Sequence, residues 1–290
     1  MKYIFRSFLT LWLLLLINIT RAQEGPGVAQ QLVSQPIPFQ LTAGFLISVR
    51  GRIGEMDGLQ FILDTGATNS VVARGIAKKL GVVRHADRVF SFQKYVEVER
   101  AEFPEVQFGP VKAENVSLLV ADLIKTSEFA GRADAIIGLD LLCQSGDLRI
   151  DYDTETVAFL VPAISTNSVQ GRRKPFCLTT QLIVQGQPVN LLIDTGMEGI
   201  LLYENRLRRR IPDLRLEGKT RNAQMGWVQG KATTLPGIRW KDSETAMSVL
   251  LTGGPSEDVM PGIDGFLGTA SLKARQIEFN FERNTVMLRW

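Results

Sequence analysis

The chain carries the same two motifs twice, at one constant separation. Residues 61–67 read FILDTGA and residues 191–197 read LLIDTGM, so Asp64 and Asp194 stand 130 positions apart. Residues 135–138 (AIIG) recur as residues 265–268 (GFLG) at the same offset. Repetition at a fixed spacing is typical of a fold built from copies of one unit. A chain of 290 residues has room for two such units of about 100–150 residues.

The repeats define the domain organisation that we expect. Each copy includes its apolar lead-in and the strand-like residues that follow the second motif, which places the lobes at residues 39–162 and 175–290. Between them, residues 163–174 are rich in Ser, Thr, Asn, Gly and Arg, a composition typical of a linker. Residues 23–38 form a segment before the first lobe.

Hydrophobic patterning inside each copy is mostly that of β-structure. Short apolar or alternating runs predict strands at residues 45–49, 182–184, 150–152 and 277–281. Helical spacing predicts one short helix in each copy, within residues 70–80 and 201–210. The sequence therefore predicts an all-β chain of two homologous lobes, each with a short helix, related by a pseudo-twofold axis.

Asp-Thr-Gly at the end of an apolar strand presents a carboxylate on a tight turn. Gly66 and Gly196 allow a sharp turn and a close approach to neighbouring backbone. The hydroxyls of Thr65 and Thr195 can hydrogen-bond to the facing copy and hold the two loops together. A twofold arrangement would then bring the two aspartates together at the axis.

Two carboxylates about 3 Å apart cannot both ionise, so Asp64 and Asp194 would share one proton. The ionised partner can take a proton from a water molecule while the protonated partner donates to a scissile carbonyl. A single strand-terminal Asp before Gly is an ordinary turn. Its recurrence with the same downstream apolar-apolar-Gly element favours catalysis.

These residues resemble the aspartic peptidase family of the pepsin and retropepsin type, and the resemblance covers residues 39–290. It implies two acid-protease-type β-barrel lobes, with Asp64 and Asp194 as the catalytic residues. It also implies a strand that crosses beneath each aspartate. The implied supporting residues are Thr65, Gly66, Thr195, Gly196, Ile137, Gly138, Leu267 and Gly268. Ala67 after the first triplet is similar to the retropepsin form.

The resemblance implies an aspartic endopeptidase that acts on polypeptides in an extended conformation. It implies no cofactor and no metal, and a monomer is sufficient because both halves of the site lie on one chain. Met197 departs from the pattern, since the family usually has Ser, Thr or Ala after the triplet. This departure keeps open an alternative: a catalytically weak or inactive protein of the same fold that binds or inhibits peptides.

No Gly-rich flap is evident in either copy. Tyr95 and Trp227 occupy matching places in the two copies and are candidates for the tips of hairpins that cover the cleft. The alternative is that each is an aromatic residue packed on a β-hairpin.

The first 22 residues have the pattern of a secretory signal peptide. Lys2 and Arg6 precede an apolar run over residues 7–19, and Ala22 would stand just before the cleavage point. The alternative is an uncleaved anchor, although the run is shorter than the ~20 residues needed to cross a bilayer. We expect export to a periplasm or to the outside of the cell.

Charge and rare residues exclude several function classes. The formal charge of +3 would fall to near zero without the leader, so nucleic-acid binding gains no support. A single His85 and two cysteines, Cys143 and Cys177, make a metal site improbable. Whether the cysteines pair is open. The basic run Arg206, Arg208, Arg209 and Arg210 is typical of a solvated helix face, with an anion site as the alternative.

Overall fold

The computed structural model describes residues 32–91, 94–123, 133–161, 178–225, 228–240, 243–257 and 259–290. The predicted leader and linker, Cys177 and Trp227 lie outside these ranges. Within them, no helix is both long and apolar enough to cross a membrane.

The first half of the chain is built almost entirely of strands. They are β1 Leu32–Val33, β2 Ile37–Pro38, β3 Gln40–Thr42, β4 Leu46–Ile53, β5 Met56–Leu63, β6 Val71–Ala73, β7 Arg84–Ser91, β8 Lys94–Phe108, β9 Val111–Ala121, β10 Ala135–Ile137, β11 Asp147–Asp151 and β12 Thr156–Val161. Two short helices accompany them, α1 Arg74–Lys79 and α2 Leu139–Leu142, the latter running into a 3₁₀ turn at Cys143–Ser145.

The second half repeats this order. Its strands are β13 Thr179–Val184, β14 Gln187–Asp194, β15 Ile200–Tyr203, β16 Glu217–Met225, β17 Val228–Trp240, β18 Ser243–Thr252, β19 Gly265–Gly268, β20 Gln276–Asn280 and β21 Thr285–Arg289. The helix α3 spans Glu204–Arg210, and a 3₁₀ turn spans Thr269–Leu272.

Each lobe closes its sheet into a barrel. In the first lobe the order β4-β5-β10-β6-β9-β8 returns to its start because β8 also pairs with β4. In the second, β13-β14-β19-β15-β18-β17 closes in the same way through β17 and β13. The two rings match strand for strand, which confirms the predicted all-β architecture of two homologous barrel lobes.

Each lobe contains the predicted short helix, but the prediction was wrong about where each helix starts. Residues 71–73 and 200–203 are strands, and the helices follow them. Val71 and Val72 pair on both sides, with β9 and β10, so tertiary pairing overrides the local helical spacing. The first lobe also has the four-residue α2, where the second has only a 3₁₀ turn.

A third sheet joins the lobes. Its order is β1-β12-β11-β20-β21, with β2 also paired to β12. Strands β11 and β20 are equivalent strands of the two lobes and pair antiparallel, with Leu148 opposite Phe279 and Ile150 opposite Ile277. This register is symmetric about Arg149 and Glu278, so the pseudo-twofold axis passes between them. Residues 32–38, for which the sequence indicated no role, contribute two strands to this sheet.

The ion pair on this axis provides a test of the lobe interface. A nitrogen of Arg149 lies 3.0 Å from a carboxylate oxygen of Glu278, and both side chains are less than a third exposed. We expect Arg149→Glu, which sets two carboxylates opposite each other, to lower the free energy of unfolding by about 1–2 kcal/mol. The double reversal with Glu278→Arg should recover most of that loss in urea denaturation. Additive losses in the double variant would contradict a direct pairing.

Candidate active site

Each aspartate stands where an apolar strand ends beside a parallel neighbour. Asp64 follows β5, and its N–H donates to the carbonyl of Ile137 at 2.9 Å. Asp194 is the last residue of β14 and lies opposite Gly268 in the β14–β19 register. The predicted apolar-apolar-Gly strands therefore run alongside both Asp-bearing loops.

The glycines of these strands lie against the loops. A Cβ at Gly138 would come 2.7 Å from the carbonyl oxygen of Ala67, and one at Gly268 would overlap the carbonyl of Met197. The N–H of Gly268 donates to the carbonyl of Gly199 at 2.8 Å. Only glycine allows this approach, which explains why an apolar pair is followed by Gly in both copies.

The two threonines lock the lobes together through four reciprocal hydrogen bonds. The hydroxyl of Thr195 donates to the carbonyl of Leu63 at 2.7 Å and accepts from the Thr65 N–H at 2.9 Å. The hydroxyl of Thr65 donates to the carbonyl of Ile193 at 2.9 Å and accepts from the Thr195 N–H at 3.1 Å. Both threonines are 0% exposed, so these bonds do not compete with water.

Backbone donors orient the carboxylates. Oδ1 of Asp64 accepts from the N–H of Gly66 at 2.8 Å and of Ala67 at 3.1 Å. Oδ1 of Asp194 accepts from the N–H of Gly196 at 2.7 Å. The two carboxyl groups also hydrogen-bond to each other. Each loop thus holds its own aspartate by equivalent turn geometry.

Each carboxylate also packs against the glycine of the opposite loop. A Cβ at Gly196 would lie 2.6 Å from Cγ of Asp64, and a Cβ at Gly66 would overlap the carboxylate of Asp194. This reciprocal contact brings the predicted catalytic pair together at the lobe interface. Asp194 is 4% exposed, whereas Asp64 is half-buried, so solvent reaches the pair from one side.

Burial raises the pKa of Asp64 above its ordinary value of 3.8. The hydrogen bond with Asp194 and the N–H groups of Gly66 and Ala67 act in the opposite direction without overcoming the burial. Because the two carboxyl groups hydrogen-bond to each other, the titration belongs to the pair. The geometry therefore favours a pair that keeps one proton above the usual range for a carboxyl group.

A Ser70–Asp140 contact supports the first lobe only. Asp140 accepts from the Ser70 N–H at 2.9 Å and from its hydroxyl at 2.6 Å, while the Gly138 N–H donates to the Ser70 hydroxyl at 2.9 Å. Burial raises the pKa of Asp140. The second lobe has Ile200 and Ala270 at these places. Comparison of the copies could not reveal this contact, because it has no counterpart.

A second repeated aspartate was missed although the sequence contained the signal. Asp134 and Asp264 each stand four residues before the glycine of the apolar-apolar-Gly motif. Oδ2 of Asp134 accepts from the Gln60 N–H, and Oδ2 of Asp264 from the Asn190 N–H, both at 2.9 Å. These contacts fix the register of the strands that carry the catalytic candidates. The common offset of 130 would have identified them.

The candidate flap residue Tyr95 lies on the β7–β8 hairpin, whose counterpart in the second lobe is β16–β17. It is 52% exposed, with its ring 5.4 Å from that of Phe90 and the Arg88 guanidinium 4.7 Å from its centre. Trp227 lies outside the described residues. The role of both as flap tips stays a prediction.

The prediction that the basic run is a solvated helix face was wrong for Arg206. Its side chain is 3% exposed, and the two terminal nitrogens of its guanidinium donate to carbonyls of the loop before β19. Those carbonyls belong to Pro255, Ser256, Met260 and Ile263. Arg206 thus fixes a loop of the second lobe, and one of its nitrogens also lies 3.5 Å from a carboxylate oxygen of Glu257. Within the part of the chain that the structure describes, no group of three His, Cys, Asp or Glu residues could hold a metal.

Comparison with known proteins agrees with these motifs. Residues 49–141 match a family model described as aspartyl protease. The crystal structure of a retropepsin-like aspartic protease from Rickettsia conorii aligns at 19% identity and a TM-score of 0.35, covering 45% of this chain and 95% of that one. None of the curated proteins compared matches the chain. The family match spans the first Asp-Thr-Gly and Gly138, and the chain resembles the retropepsin-like aspartyl proteases.

Proposed function

From a first lobe that matches the aspartyl protease family and a second lobe that repeats its Asp-Thr-Gly, we propose an aspartic endopeptidase. It hydrolyses peptide bonds with a water molecule activated by Asp64 and Asp194. The observation that carries the proposal is the reciprocal placement of the carboxyl groups, each hydrogen-bonded to the other and packed against the opposite glycine.

The chemistry follows from one proton shared by two carboxyl groups. The ionised carboxylate takes a proton from water as the water oxygen attacks the scissile carbonyl carbon, and the other carboxyl group protonates the carbonyl oxygen. In the resulting tetrahedral diol, the carboxyl group that took the water proton gives it to the nitrogen, a diol hydroxyl returns its proton to the other carboxylate, and the C–N bond breaks. The products are a carboxylic acid and an amine, and the pair again holds one proton.

The substrate class is a polypeptide in an extended conformation. A cleft between two barrels can add a peptide main chain as a further strand, with pockets for alternate side chains. The hairpins β7–β8 and β16–β17 are the elements that we propose as covers, with Tyr95 and Trp227 as the candidate cover residues. Both halves of the site lie on one chain, so we propose that a monomer is active.

The test is incubation of the purified chain with an unfolded protein in water enriched in ¹⁸O. Direct attack by water incorporates the isotope into each new C-terminal carboxylate, and mass spectrometry locates the new termini. Inhibitors that acylate serine or cysteine nucleophiles, and metal chelators, should leave the cleavage unchanged. Cleavage that these reagents abolish would contradict the proposal.

A second candidate is a peptide-binding or inhibitory protein that keeps the fold without turnover. It is favoured by Met197, a large buried side chain where Ala67 stands in the first lobe. This candidate predicts that unfolded peptides bind to the chain and are recovered intact. Retention of both Asp-Thr-Gly triplets with their full hydrogen bonding favours the enzyme.

The raised pKa of Asp64 makes a prediction for stability against pH. Below its ordinary value of 3.8, Asp64 is protonated in both the folded and unfolded chain, and it contributes no penalty. As pH rises through the raised pKa, the folded chain must ionise a buried carboxyl group, so its free energy of unfolding falls. Asp64→Asn lacks this ionisation, so its stability relative to the wild type should increase with pH in urea denaturation. Parallel pH curves for the two proteins would contradict the prediction.

We also propose that the chain is exported, on the strength of its leader-like residues 1–22. N-terminal sequencing of protein recovered from a secreting host should begin at Gln23. A chain that retains Met1 and sediments with membranes would instead indicate an anchor.

A further inference from the structure

The second lobe has an apolar cluster separate from the main core. We call it the second-lobe cluster, and its members are Leu192, Met197, Leu201, Tyr203, Val228, Leu250, Ile263 and Phe266. All are buried, with Met197 at 5% exposure. Ala223 and Met260 pack against it.

This cluster lies on the face of the sheet that carries the Asp194 carboxylate. Successive side chains of a strand point to opposite faces, so Leu192 and Asp194 share one face of β14. Leu191 and Ile193 belong to the main core on the other face. Leu192 pairs with Phe266, and Phe266 pairs with Leu201, which extends the same face across β19 and β15.

The matching face of the first lobe carries smaller side chains. By the constant offset of the repeat, five positions of the first lobe have a larger partner in the second, while Ile62 and Leu192 are of similar size. The five pairs are Ala67 and Met197, Val71 and Leu201, Ala73 and Tyr203, Ala133 and Ile263, and Ile136 and Phe266. Ala67 and Val71 remain half-buried, whereas Met197 and Leu201 are buried. Beside Asp64, solvent therefore reaches two side chains, Ala67 and Val71, whose larger partners beside Asp194 are buried.

The filling is held in place by packing and polar contacts around Tyr203. Its ring lies edge-on to that of Phe266 at 6.1 Å, and its hydroxyl donates to the sulfur of Met260 at 3.5 Å. A Cβ at Gly254 would lie 2.6 Å from Cγ of the tyrosine, so the loop backbone packs directly on the ring. Arg206 binds four carbonyls of the same loop. Rotation of one side chain therefore cannot open a pocket in the second-lobe cluster, because loop backbone also encloses Tyr203.

We propose that the cleft discriminates by size between the two sides of the scissile bond, an inference that rests on the proposed function. A large apolar side chain is accepted against the first lobe, over Ala67 and Val71. A small side chain is accepted against the second lobe, where Met197 and Tyr203 occupy the equivalent space. Because one methylene in an apolar pocket changes discrimination by about 10–200-fold, the size difference should give at least about tenfold selectivity.

The test uses three peptides in which the scissile bond is replaced by a reduced amide, so that binding is measured without cleavage. The central pairs are Phe-Ala, Ala-Phe and Phe-Phe in one flanking sequence. We expect one of the two mixed peptides to bind at least about tenfold more tightly than the other, and Phe-Phe to bind more weakly than the better one. Equal affinities of Phe-Ala and Ala-Phe would overturn the inference.

Two matched variants show which lobe accepts the large side chain and which accepts the small one. Met197→Ala should improve binding of Phe-Phe and of the disfavoured mixed peptide, while Ala67→Met should weaken the favoured one. Thermal unfolding and fluorescence spectra would verify that both variants are folded; the second variant adds atoms at a half-buried place and does not empty a core. An unchanged preference in folded Ala67→Met would overturn the inference. Selective binding without any cleavage of the matching ordinary peptides would overturn the proposed enzyme and leave the asymmetry standing.

Discussion

Asp64→Asn is expected to lower kcat/KM for peptide cleavage by at least about 10³-fold. General acid–base catalysis by a positioned side chain contributes about 10²–10⁴-fold. Here a carboxyl group of the pair would act as a base when ionised and as an acid when protonated. The amide has the shape of the carboxyl group and can keep accepting at the oxygen that binds the N–H groups of Gly66 and Ala67. The loss should therefore affect turnover and leave the fold intact.

The measurement is hydrolysis of a fluorogenic peptide, with circular dichroism and the urea midpoint as controls for folding. Asp194→Asn is the matched variant, because Asp194 holds the same position in the other lobe and accepts from the Gly196 N–H. Since the two carboxyl groups act as one unit, the double variant should be no less active than either single variant. A folded variant that keeps a tenth of the activity would contradict the assignment.

Thr195→Val is expected to lower the free energy of unfolding by about 2–5 kcal/mol. Valine keeps the shape of threonine but removes the hydroxyl that donates to the carbonyl of Leu63 and accepts from the N–H of Thr65. Both backbone groups would be left buried without that partner, at about 1–3 kcal/mol each. Thr65→Val should have a similar effect, because its contacts mirror those of Thr195.

Thr195→Ser separates the hydroxyl from the methyl group. It keeps the polar contacts and should cost less than about 1.5 kcal/mol in urea denaturation. The double variant with both valines should lose less than the sum of the single losses, since the two threonines are in contact and two of the four hydrogen bonds join them directly. If Thr195→Val were as stable as Thr195→Ser, the reciprocal lock would not contribute to holding the lobes together.

Several features of the molecule were predictable because they repeat. Asp64 and Asp194, their threonines and their glycines recur at one spacing, so a twofold relation between the copies makes the two loops equivalent, and hydroxyls able to bond across the axis favour their meeting there. The strands that carry them could be predicted because period-two patterning and a run of apolar residues reflect backbone geometry directly. Asp134 and Asp264 carried the same signal.

Other features depended on contacts between residues far apart in the chain. Residues 71–73 became a strand through pairing with β9 and β10, and Arg206 is buried where carbonyls of a second-lobe loop accept from its guanidinium. Ser70 and Asp140 meet in one lobe only, so the repeat gave no indication of them.

By itself, the sequence determined the duplication, the barrel-forming strands and the identity of the paired carboxyl groups, since these follow from local pattern and symmetry. The tertiary structure alone decided how the two halves differ: which side chains fill the face beside each aspartate, and which segments join the sheet between the lobes. The physical reason is that side-chain packing and strand pairing are set by neighbours in space, and differences between two copies of a repeat leave no periodic signal along the chain.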